Sequence, residues 1–314
     1  MPGANDPSPP ANPGDQTPRG PRIGACAPAV RLEGLQRRLM YVPRAMRERV
    51  LVKAYLEAVR QSTPFAAYKS RLFDMLALCP GERVIDIGCG LGDDVRAAAR
   101  AVAPEGFAVG VESDRETLTS LAALVDQTEG ASFVGADAGA LPFADGVFDV
   151  ARLDRVLHIV DDPLAALSEA RRVLAPEGRL LVAEPLWATL RLSGTRLDRS
   201  DVARHVERAT AAAPGAAAFD PVDLARKAGC GLVEEAPMDV VFEDPGEART
   251  LLHLNRTLFA LRLGKQISID AVGAWQAALE GDAADQSFRA RLSGVVLRLV
   301  RDGDAQAHRQ VAQR

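Results

Sequence analysis

From about residue 79 the chain alternates short apolar runs with longer stretches in which apolar residues recur at helical spacing. Val84-Ile85 with Ile87, Phe107 to Val111, Ala131 to Val134, Val147 to Ala151 and Arg179 to Ala183 have the length of buried strands. Between them, Val95, Ala98, Ala99 and Val102 fall on one helical face, as do Leu118, Leu121, Ala122 and Val125. A third helical stretch runs around Leu164 to Leu174. Pro80-Gly81, Ala144-Asp145-Gly146 and Pro176-Glu177-Gly178 read as turns between elements. Regular alternation of this kind predicts an α/β fold: a doubly wound, mostly parallel sheet with helices on both faces. Leu232 to Phe242 and Gly294 to Val300 add a sixth and a seventh strand.

The flanks have a different texture. Residues 1–28 are rich in Pro, Gly, Ala, Asn and Asp and read as a disordered tail. Residues 29–78 read as a helical cover, with breaks near Pro43 and Pro64. Its last helix places Phe65, Tyr68, Leu72, Met75 and Leu76 on one face. The α/β domain itself is expected over 79–302, with two insertions. One, near 187–213, is polar and reads as helical; the other, at 246–280, carries Leu251, Leu254, Leu258 and Leu261 on one amphipathic helix and Ile269 to Leu279 on another. Phe219 to Lys227 reads as a helix between them, and 303–314 as a tail.

Composition narrows the function. The 314 residues are 47% hydrophobic and 25% charged, enough for a packed core. The formal net charge is -4, so no basic field favours nucleic acid. Cys26, Cys79, Cys89 and Cys230 lack metal-ligand spacing, which implies no metal site and a reducing compartment. No apolar run has the length of a membrane span, and the N-terminus has no apolar signal core; a cytoplasmic protein is expected.

The chemistry is concentrated after the first strand, in Asp86-Ile87-Gly88-Cys89-Gly90-Leu91-Gly92-Asp93-Asp94. Alternating glycines let the backbone turn sharply and let a ligand approach where a Cβ would clash. A dinucleotide fingerprint would place glycine where Asp93 stands, and two acids at a helix N-terminus repel a pyrophosphate. A cationic or zwitterionic nucleoside suits the loop better. Glu112 ends the second strand twenty residues beyond Gly92, where a carboxylate accepts ribose hydroxyls. Ligands of a parallel α/β sheet lie outside the carboxyl ends of its strands, and Asp86, Glu112 and Asp137 all lie at that edge.

The loop resembles the first motif of class I S-adenosylmethionine-dependent methyltransferases. The resemblance extends in family order through Gly135-Ala-Asp-Ala-Gly-Ala-Leu-Pro-Phe143, Phe148-Asp-Val-Ala-Arg-Leu-Asp-Arg-Val-Leu-His158 and Arg171-Arg-Val-Leu-Ala-Pro-Glu-Gly-Arg-Leu180. It covers about Tyr68 to Trp187 and points to the subgroup with ubiquinone-type and natural-product tailoring enzymes. It implies S-adenosylmethionine as cofactor and S-adenosylhomocysteine as product. Asp86, Gly88, Cys89, Gly90 and Gly92 would hold the cofactor, with Glu112 and Ser113 at its ribose. Asp137 and Ala138 would lie at its adenine, the other reading of Asp137 being an ordinary Asx turn. Arg152 and Arg155 are each matched either to the cofactor carboxylate or to Asp154. Tyr68 reaches the cofactor or is a core aromatic with a wet hydroxyl.

Methyl transfer from a sulfonium depends mostly on alignment, and a base is needed only when the acceptor loses a proton. His158 is the candidate base; many relatives carry Gln-His where this chain has His158-Ile159. Its other reading is a histidine hydrogen-bonded near a helix start. No Asn-Pro-Pro-Tyr stretch and no Pro-Cys nucleophile point to DNA as substrate. The expected partner is a small, hydrophobic acceptor methylated at O, N or C, with a homodimer open. A non-methylating, S-adenosylmethionine-binding tailoring reaction such as cyclisation is the alternative.

Overall fold

The computed structural model of the chain describes residues 44–122, 128–213 and 219–301. The tail at 1–28, the start of the helical cover, the Pro43 break and the tail at 303–314 lie outside these residues. Two helices open the described chain, α1 (Arg44–Gln61) and α2 (Thr63–Leu76). Ser62 divides them: its hydroxyl accepts the Phe65 N–H as an N-cap, and Pro64 occupies the first turn, where its missing N–H costs nothing.

The alternation then runs as read. The strands are β1 (Arg83–Ile87), β2 (Phe107–Glu112), β3 (Ala131–Gly135), β4 (Phe148–Asp154) and β5 (Leu174–Pro185). The helices between them are α3 (Asp93–Val102), α4 (Arg115–Ala122) and α5 (Pro163–Val173). A three-residue strand, β6 (Arg191–Ser193), and helices α6 (Asp201–Ala211) and α7 (Pro221–Lys227) lead to β7 (Cys230–Phe242). Helices α8 (Pro245–Leu251), α9 (Leu254–Leu263) and α10 (Ile269–Ala284) precede β8 (Arg289–Arg301).

The sheet has the order β3-β2-β1-β4-β5-β8, with the first five strands parallel. Strand β8 is antiparallel to β5 and carries β7 along its other edge. Beyond the end of β5, β8 also pairs with β6. The sheet therefore has eight strands where the apolar runs predict seven. Two core layers cover its faces. One packs Val84, Val150, Leu181 and Ala183 against α2, α3 and α6. The other packs Ile85, Ile87, Ala151, Leu153 and Val182 against α5 and α7. Alternate strand residues thus go to opposite layers, as the period of two requires.

Three local expectations change. The 187–213 insertion is only partly helical, because Arg191 to Ser193 add to the free length of β8. The single amphipathic helix read through Leu251 and Leu261 is two, broken at His253, whose φ is 53°. Leu251, Leu254, Leu258 and Leu261 are all buried nonetheless. The turn at Pro176-Glu177-Gly178 is an irregularity inside β5, where pairing with β4 jumps from Phe148–Leu174 to Val150–Arg179.

Helix α10 is tied to the β6 region by a buried carboxylate. Asp282 has no exposed surface; its Oδ1 accepts the Arg196 N–H at 2.8 Å and its Oδ2 the Leu197 N–H at 2.9 Å. Replacing Asp282 with Ala strands two amides in a dry setting. Asp282→Ala is expected to lower stability by about 2–4 kcal/mol, and Asp282→Asn by less, in equilibrium chemical denaturation.

Candidate functional site

The site begins with charges placed inside apolar strands. Asp86 of β1 and Arg152 of β4 are register partners in the parallel ladder. Asp154 lies two residues beyond Arg152, on the same face of the sheet. Arg152 Nη1 donates to Asp86 Oδ1 at 2.8 Å. Its Nη2 donates to Asp154 Oδ2 at 2.7 Å and to Asp94 Oδ2 at 2.9 Å. Asp94 comes from the first turn of α3, so the network spans two strands and the helix after the glycine loop. Of the two matches open to Arg152, the structure shows Asp154, joined by Asp86 and Asp94. Arg152 also belongs to β4 and not to the loop after it, because β4 runs three residues past Ala151.

Burial sets the electrostatics. Burial pushes the Asp86 carboxyl up to about 6, against the pull of Arg152. Burial would raise Asp94 as well, but Arg152 and Lys69 hold it below the usual carboxylate range. Asp86 Oδ2 is buried and makes no hydrogen bond. The helical cover joins the same network. Tyr68 donates its hydroxyl to Asp154 Oδ1 at 2.6 Å, and Lys69 Nζ lies 2.9 Å from Asp94 Oδ2. Burial, then Asp154, raises the Tyr68 phenol far above its ordinary value, so it remains a donor.

The glycine loop holds its shape by backbone conformations that side chains resist. Gly88 has φ +77°, and a Cβ there would meet Val156 at 2.5 Å. Gly92 has φ +69°, and its Cβ would meet Phe133 at 2.5 Å. Cys89 lies in this loop with its thiol pushed up by burial, then by Asp86 and Glu112. It is thus held as a neutral thiol. Gly90 faces the cover, with Leu56 of α1 3.4 Å from where its Cβ would be.

The other cofactor candidates lie on neighbouring strand ends. Glu112 Oε2 accepts the Gly90 N–H at 3.1 Å, and its Oε1 accepts the Ser113 and Asp114 amides at 2.8 and 2.9 Å. Glu112 therefore buttresses the glycine loop. Asp137 is exposed; its Oδ1 accepts the Gly139 N–H at 2.7 Å in an Asx turn beside Ala138.

Two cavities open at this edge. A polar cleft of about 440 Å³, mouth included, is lined by Gly88, Cys89 and Gly90, and by Lys69, Asp94 and Arg152. An apolar chamber of about 500 Å³, mouth included, has walls from Phe65, Trp187, Met238, Val240 and Phe242. Tyr68, His158 and Glu184 also line the chamber. Asp154 and Arg155 line the cleft, and Arg155 lines both.

His158 and Glu184 form a dyad in the chamber. Glu184 ends β5, is buried, and its Oε1 accepts the Val156 and Leu157 amides at 2.9 and 2.7 Å. Its Oε2 lies 2.7 Å from His158 Nδ1. The carboxylate assigns the proton to Nδ1 and leaves Nε2 as the free nitrogen. The loop after β4 thus holds the histidine through its own backbone. Glu184 is not among the site residues read from the sequence; its signal there is a carboxylate directly after the buried run Arg179 to Ala183, at the ligand-bearing edge. His253 stacks on Tyr55 with ring centres 4.9 Å apart and lies 6.5 Å from Trp187. Nothing in a single sequence brings residues 55, 187 and 253 together.

Residues 78–214 match the family model described as a methyltransferase domain. Over this matched region the chain is similar to class I S-adenosylmethionine-dependent methyltransferases. A curated relative, an uncharacterised 37.1 kDa protein in transposon Tn4556 of Streptomyces fradiae, is 36% identical over 65% of this chain and 59% of its own length. Demethylmenaquinone methyltransferase of Staphylococcus aureus is 32% identical over 39% of this chain and 51% of its own. The chain thus spans little more than half the length of these relatives. The solved YcgJ protein of Bacillus subtilis is 16% identical with a TM-score of 0.49, covering 76% of this chain and 99% of that one. Among the described residues no helix is long and apolar enough to cross a membrane, and no metal-binding cluster occurs.

Removing Arg152 leaves three carboxylates facing one another with little water. Arg152→Ala is expected to cost about 3–5 kcal/mol at neutral pH. The stranded acids then have folded pKa values above the unfolded value near 4. An acid raised in this way loses stability as pH rises. The deficit should therefore be larger at pH 8 than at pH 5, measured by urea denaturation at both.

Proposed function

We propose that this protein transfers a methyl group from S-adenosylmethionine to a small, largely apolar acceptor, at oxygen, nitrogen or carbon. The observation that carries this reading is the pair of cavities at the carboxyl edge of the sheet: a polar cleft on the glycine loop and an apolar chamber beside it, with Arg155 in the wall of both. The cleft's donors and acceptors suit the amino-acid end of the cofactor. Lys69 and Arg152 offer positive charge, Asp94 and Asp154 negative, and Asp86 Oδ2 is an unfilled acceptor behind them. Gly88 and Gly90 themselves add no side chain to the cleft. Glu112, Ser113, Asp137 and Ala138 continue this edge towards the ribose and adenine positions that the family implies.

The bound cofactor supplies an electrophilic methyl on a sulfonium. The chain supplies alignment, a dry chamber and a proton acceptor. His158 Nε2 takes the proton from an acceptor hydroxyl, amine or acidic carbon as the methyl transfers. Glu184 holds the ring by Nδ1 and stabilises the imidazolium that results. Much of the chamber wall, from Tyr55, Phe65 and Tyr68 to Met238, Phe242 and Leu252, comes from outside the matched domain at 78–214. Acceptor choice is therefore built largely by segments outside the matched methyltransferase domain, which supports a tailoring role in natural-product biosynthesis.

Isothermal titration of the folded chain with S-adenosylhomocysteine should show saturable binding that weakens as pH falls through about 6. Protonating Asp86 removes a negative charge from Arg152 and makes the cleft less favourable to the ammonium. Asp86→Asn should flatten that dependence. Absence of binding overturns the reading.

In a labelled-methyl assay, His158→Ala should lower kcat by about a hundredfold or more, with Glu184→Gln intermediate. Affinity for S-adenosylhomocysteine should be unaltered in both. Full turnover by His158→Ala would leave alignment alone as the source of rate. Cofactor binding without transfer to any acceptor would favour the non-methylating alternative.

A further inference from the structure

Among the described residues that line the chamber there is one cation, and it is loosely held. Of the residues lining it, Arg155 and Glu184 are the full charges beside the titratable His158. Glu184 is spoken for by two amides and His158. Arg155 is not. Its Nη1 donates a long bond of 3.3 Å to the Tyr55 hydroxyl. Its Nε is buried and makes no hydrogen bond; it forms only an ion pair at 3.4 Å with Asp154 Oδ1, an oxygen that also accepts from Tyr68. A guanidinium has five N–H donors in a planar fork, and leaving them unmet under apolar walls is costly.

The backbone holds Arg155 in place at some expense. It is a non-glycine residue at φ 60°, a conformation that bulky side chains disfavour, and its N–H is tied to the Ala183 carbonyl at 2.8 Å. This directs the guanidinium over the Phe65 ring, 4.6 Å from its centre. Phe65 and Tyr55 line the chamber and not the cleft. Two of the groups around the fork therefore belong to the acceptor side, and a third, the ion-paired Asp154, to the cleft.

We infer that Arg155 is a specificity residue for the acceptor: the chamber takes a small, ring-bearing molecule with a carboxylate, which pairs with the Arg155 fork while its nucleophilic atom lies towards His158. The inference rests on the methyl-transfer reading of the site. Planar bidentate pairing is what a guanidinium offers a carboxylate and what an ester or amide cannot reproduce. The apolar walls and Trp187 accommodate the ring.

The test uses the full chain saturated with S-adenosylhomocysteine and two probes, 3-hydroxy-2-naphthoate and its methyl ester, each titrated calorimetrically. The acid should bind at least tenfold more tightly than the ester. Arg155→Met should reduce acid affinity by at least tenfold, to the level of the ester, with ester binding within threefold of wild type. Arg155→Lys, which keeps the charge without the fork, should recover part of the preference and serves if the Met variant does not fold. Equal binding of the two probes by wild type, binding of neither, or a preference surviving in Arg155→Met each overturns the inference. A variant that loses S-adenosylhomocysteine affinity more than acid affinity also overturns it, and assigns the fork to the cofactor carboxylate. If wild type binds no S-adenosylhomocysteine, the underlying methyl-transfer reading fails instead.

Discussion

Arg152 sits in a strand between two layers of apolar side chains, and its charge is tolerable there only because three carboxylates surround it. Taking an unpaired guanidinium out of water costs far more than a small domain can offset. The constraint is mutual. Asp86 and Asp154 are buried as deeply as Arg152 and need its donors, and Asp94 brings the first turn of α3 to the same point. The β1 and β4 register, the position of the glycine loop and the pitch of α3 are thereby fixed together.

The cover is held by the same atoms. Tyr68 and Lys69 are adjacent on α2, yet Tyr68 lines the chamber as it reaches Asp154, and Lys69 lines the cleft as it reaches Asp94. A helix turns about 100° per residue, so neighbouring side chains diverge. Here that divergence spans the partition between the two cavities. Phe65, one turn earlier, adds the apolar wall and carries the Arg155 guanidinium. Charge balance in the first strand pair therefore determines where the chamber has its walls.

The chemistry-bearing loop after β4 follows a different rule. Arg155, Val156 and Leu157 leave the strand in a strained turn and spend their backbone donors on the end of β5: Arg155 on the Ala183 carbonyl, the next two on Glu184. That arrangement sets His158 against Glu184 without a helix to support it. The ordered strand ends supply the rigidity that a precise proton acceptor needs. Strands β7 and β8, antiparallel at the far edge, then close the chamber with Met238, Val240, Phe242 and the 292–295 segment.

The parallel core was legible because its signals are local. Period-two burial, period-3.6 helix faces and the glycine loop need only neighbours in sequence, and they placed β1 to β5 and the loop after β1. The same locality explains what was misjudged. Arg191 to Ser193 became a strand because β8 is longer than its partner β5, and His253 broke a helix whose leucines all remained buried. The pairing of Asp86 with Arg152 depends on a register between strands 66 residues apart. The dyad of His158 with Glu184 depends on another across 26. Sequence determined which carboxylates, glycines and cations would be available at the carboxyl edge. Only tertiary packing decided which charges neutralise one another, because a buried ion selects its partner by distance and dielectric, and neither is written along the chain.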